Sequence, residues 1–193
     1  MEHFFSKIHG FFNFPNFYRS IIEHFDSGAH FVELGSYRGT SLAFLVVEII
    51  NSGKQIRVTA VDLFGLEHKR CKTYPELYEE FLENMAPVAD HFDHLRMSTV
   101  DAAQHFEDKS LAFVYIDADH SYEACSADIE AYLPKMKPGG VIAGHDWYRA
   151  GVKKAAYEHF GSPVWVAGQS WWHQIPGGKE YSPDFGEQMH EVS

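Results

Sequence analysis

Two short runs concentrate the groups that can hold a cation or move a proton. One is Ile116, Asp117, Ala118, Asp119, His120, Ser121 and Tyr122; the other is Gly144, His145, Asp146 and Trp147. Each follows an apolar stretch of strand length, so carboxylates and imidazoles would be delivered together at two strand ends. If those strands are neighbours, Asp117 and Asp146 face one cleft, where two anions repel unless a divalent cation or a proton relieves them. An imidazole beside them completes either a metal-binding set or an acid–base pair. The plainer alternative is that Asp119 or Ser121 caps the following helix and that His120 and His145 satisfy hydrogen bonds in the core.

Two further strand ends carry residues suited to binding. Glu33, Leu34, Gly35, Ser36, Tyr37, Arg38, Gly39 and Thr40 form a turn whose two glycines let backbone approach a ligand just before a helix begins. The Gly-x-Gly-x-x-Gly dinucleotide pattern is missing, and no Gly-Lys-Ser/Thr follows to make a phosphate loop. Asp62, at the end of Ala60 and Val61, is placed where its two oxygens can accept from two ribose hydroxyls. The pair of features fits an adenosine-type ligand without a pyrophosphate.

The elements that must position these residues are legible as alternating patterns. Phe31 to Leu34, Ile56 to Val61, Leu111 to Ile116 and Val141 to Ala143 read as buried strands. Thr40 to Ile50 reads as a buried crossover helix, apolar on nearly every side. Thr73, Tyr74, Pro75 and Glu76 read as a capping box opening a helix with Tyr74, Leu77, Tyr78, Phe81, Leu82 and Met85 on one face. A third helix is expected from about Ser121 to Leu133, stopped by Pro134, and the turn Lys137, Pro138, Gly139, Gly140 restarts a strand. Strand–helix–strand repetition implies a parallel sheet covered on both faces, with ligands at the carboxyl ends of its strands. Asn16 to Phe25 has helical apolar spacing, and the aromatic residues around it form either an arm docked on the core or a lid over a pocket.

Composition sets the outer bounds. The chain has 193 residues, 45% hydrophobic and 22% charged, a mixture that fits one globular domain over residues 1–193. Within it, 1–28 form the aromatic helix and arm, and 179–193 a polar, loosely held tail. A net charge of −11 sets nucleic-acid phosphates against repulsion. No apolar run approaches the ~20 residues of a membrane span. Cys71 and Cys125 are too few for a disulfide framework, which points to a reducing compartment and a cytoplasmic location.

Five ordered motifs resemble one known family. They are Val-Glu-Leu-Gly-Ser-Tyr-Arg-Gly-Thr-Ser, Ala-Val-Asp-Leu-Phe, Glu-Glu-Phe-Leu-Glu-Asn-Met-Ala-Pro, Tyr-Ile-Asp-Ala-Asp-His-Ser-Tyr-Glu and Lys-Pro-Gly-Gly-Val-Ile-Ala-Gly-His-Asp. Together, across about 31–160, they resemble the class I S-adenosylmethionine-dependent methyltransferases, in particular the small metal-assisted O-methyltransferase branch that includes macrolide sugar methyltransferases. The resemblance implies a Rossmann-like α/β fold with a seven-stranded, mostly parallel sheet and helices on both faces. It implies that Glu33, Gly35 and Ser36 hold the methionine part of S-adenosyl-L-methionine, that Asp62 binds the ribose and that Leu63 borders the adenine. It also implies magnesium on Asp117 and Asp146, with Asp117 contributing to catalysis, and His120 as general base. The chain departs from the pattern at His145, where several relatives have an acidic metal ligand, so His145 joins the candidate metal set. A second departure is Arg96, Met97, Ser98, Thr99 in place of Gly-Asp-Ser, which moves adenine recognition to Ser98 or Asp101.

The expected activity is methyl transfer to a hydroxyl of a small, sugar-like acceptor, assisted by a divalent cation. A homodimer is compatible with this reading, and neither nucleic acid nor a membrane is expected as a partner. Trp147, Trp171 and Trp172 are candidate flat faces for a sugar ring, and His68, Lys69, Arg70 and Lys72 form a basic loop beside the second strand. Two competing readings are a non-catalytic S-adenosylmethionine-binding protein acting as an assembly partner, and a metal-dependent hydrolase built on His120, Asp119, His145 and Asp146.

Overall fold

The computed structural model describes residues 1–65, 76–161, 164–185 and 189–192. The basic loop at 68–72, Cys71 and most of the capping box at 73–76 lie outside them. Among the described residues, the strands are β1 (His30–Leu34), β2 (Arg57–Asp62), β3 (Asp93–Arg96), β4 (Leu111–Ile116), β5 (Met136–Gly144), β6 (Val164–Ala167), β7 (Ser170–Gln174) and β8 (Met189–Val192). The helices are α1 (Pro15–His24), α2 (Thr40–Ser52), α3 (Leu77–Met85), α4 (Thr99–Ala102), α5 (Tyr122–Tyr132) and α6 (Ala150–Phe160). All eight strands join one sheet in the order β3-β2-β1-β4-β5-β7-β6-β8. Pairs from β3 through β5 are parallel, and β7, β6 and β8 add antiparallel. The sheet thus has the expected mostly parallel body, with β8 as an added short edge.

Period-two alternation sorts the side chains onto two faces. Phe31, Phe113 and Tyr115 point to the face covered by α1 and α2, while Val32, Leu34, Val114 and Ile116 point to the face covered by α5 and α6. α2 is buried on almost every side, as its sequence requires, and is bounded by Gly39 and Gly53 in left-handed conformations. On α3, Leu77, Phe81 and Met85 are buried, but Leu82, expected on the same face, is 41% exposed. Lys137 to Gly140 do not restart a strand; they form an irregularity inside β5, between the pairs Leu111↔Met136 and Phe113↔Val141.

The described parts of both terminal segments pack on the core. Phe17, Tyr18, Ile21 and Ile22 of α1 are buried, so the aromatic arm is docked on the core. The tail expected to be loose is anchored by Tyr181, whose hydroxyl meets Ser20 Oγ at 2.6 Å and whose amide donates to Gln174 Oε1 at 2.9 Å. Among the described residues, no helix is long and apolar enough to cross a membrane.

Candidate active site

Chain order reverses between β1 and β4, and the crevice of such a sheet opens at that switch point. The residues just beyond the strands lock the ends of β1 to β5 together. Gly35 N donates to Val61 O, Asp117 N to Leu34 O, His145 N to Ile116 O and Met97 N to Asp62 O, at 2.8 to 3.1 Å. Gly35 has φ +90°, and a Cβ there would lie 2.2 Å from the carbonyl oxygen of Asp117. Only glycine permits the first turn to lie against the end of β4.

One cavity, of about 740 Å³, runs along this edge from Asp117 and Gly35 past Asp62 and Leu63 to Ser98. Asp62 Oδ2 accepts from Tyr37 N at 2.8 Å and Oδ1 from Phe64 N at 2.7 Å. Both donors have left-handed backbone. Burial raises the Asp62 pKa, and the backbone donors oppose the rise. Ser98 caps α4 and donates to Asp101 Oδ2 at 2.6 Å. Asp101 does not line the cavity, and its carboxylate is turned to that cap; of the residues expected at the adenine, Leu63 and Ser98 lie in the wall.

Glu33, expected at the methionine part, is buried at the end of β1. It is 1% exposed, and its two oxygens accept from Tyr18 OH at 2.7 Å and Ser36 Oγ at 2.6 Å. Burial pushes its pKa up to about 7 despite these hydroxyl donors. Its partner Ser36 lines a second cavity of about 460 Å³.

That second cavity contains the acidic cluster. The adjacency of β4 and β5 brings Asp117 and Asp146 together as the sequence suggests. His120 Nε2 lies 3.3 Å from Asp117 Oδ1 and 2.6 Å from Asp146 Oδ2. The hydrogen bond with Asp117 raises the His120 pKa and the Asp146 charge adds to it, against an opposing effect of burial. His145 is buried, with Nδ1 3.8 Å from an oxygen of each aspartate and Nε2 2.9 Å from Asn13 Oδ1. Asp146 has φ +55°, uncommon for a non-glycine residue, and Arg149 Nε stands 3.7 Å from its Oδ1. Asp117, His120 and Asp146 offer two carboxylate oxygens and a ring nitrogen within 4.8 Å of one another, a donor set that fits a divalent cation. The tightest group therefore contains His120, expected as the base, while His145, expected as a ligand, stands slightly further off.

Asp119 belongs to the plainer reading: its Oδ1 accepts from Ser121 N at 2.8 Å, and Ser121 in turn caps α5. The tryptophans are also corrected. Trp171 and Trp172 are 0% and 1% exposed, on opposite faces of β7 inside the sheet, and Trp147 is buried against Tyr157. None presents a face to a ligand. The exposed rings at the second cavity are instead Phe11, Tyr37 and Tyr148. Sequence reasoning did not find Phe11, Tyr148, Asn13 or Tyr18 as site residues; the aromatic density of the arm was the available signal for Phe11 and Tyr18, whereas Tyr148 and Asn13 had none.

Comparison with known proteins agrees with this geometry. A family model described as a methyltransferase domain matches residues 32–147, which contain the ends of β1 to β5. An uncharacterised protein of Sinorhizobium fredii, y4gI, is 25% identical over 115 residues, covering 60% of this chain; the match spans 13% of that protein's length. The O-methyltransferase NovP superposes with a TM-score of 0.66 at 16% identity, over 84% of this chain and 79% of that one. An O-methyltransferase from Bacillus cereus, solved in complex with SAH, gives 0.59 at 17% identity, over 84% and 80%. At these identities the two structures establish a shared fold.

Proposed function

The chain belongs to the methyltransferase-domain family, and from that premise we propose that it is an S-adenosylmethionine-dependent O-methyltransferase acting on a small, sugar-like hydroxylated acceptor. One observation carries the reading: Gly35, Tyr37, Asp117 and His120 line both cavities. A ligand in the first cavity and one in the second would meet at those residues, beside a base.

In this reading Asp62 accepts from the ribose hydroxyls, and the Gly35–Ser36 turn brings backbone against the methionine part. S-adenosylmethionine, when bound, supplies a methyl group on a cationic sulfur that departs as a neutral thioether. The protein's task is then to align the acceptor oxygen and remove its proton. We assign that proton to His120 Nδ1, the ring nitrogen left over when Nε2 donates to the two aspartates, because His120 faces both cavities, whereas His145 lines only the second and is anchored through Asn13. Asp117 and Asp146 stabilise the resulting imidazolium. The same aspartates, with the facing Nδ1 of His145, would hold a divalent cation, which lowers the pKa of a bound hydroxyl. Exposed Phe11 and Tyr148 offer the acceptor an apolar ring face.

The test joins calorimetry with S-adenosylmethionine to an acceptor panel of nucleotide sugars, glycosides and catechols, run on wild type and His120→Ala. The expected result is cofactor binding, turnover of a sugar hydroxyl and its loss in His120→Ala. A catechol hydroxyl is more acidic and needs a base less, so turnover confined to catechols and indifferent to His120 overturns the sugar reading. Absence of cofactor binding overturns the activity itself.

A further inference from the structure

The first cavity contains a buried carboxylate that the mechanism leaves unused. Along the sheet edge the strand ends run β4, β1, β2, β3, so the cavity passes from Asp117 and Gly35, past Asp62, to the residues after β3. With the ribose on Asp62, the purine occupies the β3 end. α5 closes that end, presenting Ala124, Ala127 and Asp128 to the cavity, three and four residues apart on one face. The two alanines leave room for a flat ring above Asp128.

Asp128 is 2% exposed. Its Oδ1 accepts from the hydroxyl of Thr99, the residue next to Ser98, which fixes the carboxyl at the β3 end. Asp128 lines the cavity, and no hydrogen bond joins its Oδ2 among the described residues. Burial raises its pKa to about 7; the Thr99 bond opposes the rise and the Asp119 charge adds to it. A carboxylate oxygen without a protein donor, on a residue so little exposed, is the place where a ligand N–H would be accepted. The other polar side chains at this end are occupied: Ser98 is bonded to Asp101, and Thr99 to Asp128 itself.

We propose that Asp128 is the specificity residue for the adenine ring, its free Oδ2 accepting a hydrogen bond from the exocyclic 6-amino group while Thr99 holds Oδ1. The inference rests on the cofactor reading above and deepens it. The aspartate missing after β3 is thereby replaced from a different element, the neighbouring helix. Above the pH of about 7 to which burial raises its pKa, Asp128 is ionised; a 6-oxo purine would then turn an acceptor toward Oδ2 and be rejected, because two acceptors would face each other without a proton between them.

The experiment measures binding of S-adenosylhomocysteine and of its 6-oxo counterpart, S-inosylhomocysteine, by calorimetry to wild type and Asp128→Asn, at a pH well above 7 so that Asp128 is ionised. The wild type is expected to prefer the 6-amino ligand by a factor of about 10 to 100, the range of one hydrogen bond to a charged group. Asp128→Asn, whose amide can donate to a 6-oxo group, should lose most of that preference. A purely supportive role for Asp128 would weaken both ligands in parallel and leave the ratio unchanged, which overturns the proposal. The wild-type ratio decides even where the variant fails to fold: equal affinity for the two ligands overturns the proposal while the cofactor reading stands. Binding of neither ligand removes both.

Discussion

Replacing Gly35 by alanine should be far more damaging than the same replacement at Gly28, although the two share nearly the same positive φ. Gly28 has φ +91° and Gly35 φ +90°. Either alanine therefore incurs the left-handed cost of an L-residue, about 1–2 kcal/mol, and both share the same gain, about 0.4–1 kcal/mol, from stiffening the unfolded chain. Their surroundings differ. A Cβ at Gly28 meets nothing within 4 Å, whereas at Gly35 it lies 2.2 Å from Asp117 O, 2.6 Å from Asp117 C and 2.8 Å from Ala118 Cα. These are backbone atoms fixed by the ladder between β1 and β4, so they yield only by moving the strand end, at a further ~1–3 kcal/mol. In a domain of this size one kcal/mol shifts Tm by about 2–4 °C. Gly35→Ala should thus melt lower than Gly28→Ala by roughly 2–12 °C, and it alone should weaken S-adenosylhomocysteine binding, because the displaced backbone is the cavity floor. The measurements are paired thermal melts and calorimetry on both variants. Equal melting temperatures, or unaltered binding by a folded Gly35→Ala, would refute the close-approach argument.

Asp62→Ala should lower S-adenosylhomocysteine affinity by a factor of about 10 to 100, since charge-assisted bonds to the ribose are lost; undiminished affinity in calorimetry would remove Asp62 from the site. Glu33 has a folded pKa raised from 4.5 to about 7, so the unfolded chain releases its proton first, and stability falls as pH rises from 4.5 to 7, by on the order of 3 kcal/mol. Glu33→Gln should accordingly be the more stable protein at pH 8, with its advantage fading below pH 4.5; denaturant curves for the two proteins that stay parallel across that range would contradict the burial argument. Manganese should bind at a single strong site and chelation should abolish turnover, with Asp146→Asn weakening the metal at least ~10-fold; full activity in excess chelator would leave His120 to act alone.

The parts of this protein that were legible in its sequence are those governed by local rules. Apolar runs marked β1, β2, β4 and the core of β5, and the carboxyl-end rule then placed Gly35, Asp62, Asp117 and Asp146 at one crevice. β3 escaped because Asp93, His94, Leu95 and Arg96 form an edge strand with one partner and no apolar run. Trp171 and Trp172 misled for a related reason. Adjacent residues on a strand point to opposite faces, and β6 pairs outside β7, so both rings are covered rather than displayed. Asn13 on His145 and Tyr18 on Glu33 were unreadable because those contacts span 132 and 15 residues and are set by how the arm docks. Leu82 marks the limit of helical periodicity, which identifies a face but not its width.

The ladder that unites the site also dictates when the site can exist during synthesis. β1 lies between β2 and β4, and its pairing of Phe31 with Phe113 and Leu34 with Ile116 closes a loop of some eighty residues. Until β4 has left the ribosome, the emerging chain exposes one unpaired edge of an apolar strand and half of two cores. Pairings of such long sequence separation form slowly, and an open edge of this kind is where nascent chains associate wrongly. The binding turn and the acidic cluster are therefore completed late and together, and a fragment ending before Leu111 should be insoluble rather than a smaller cofactor-binding domain.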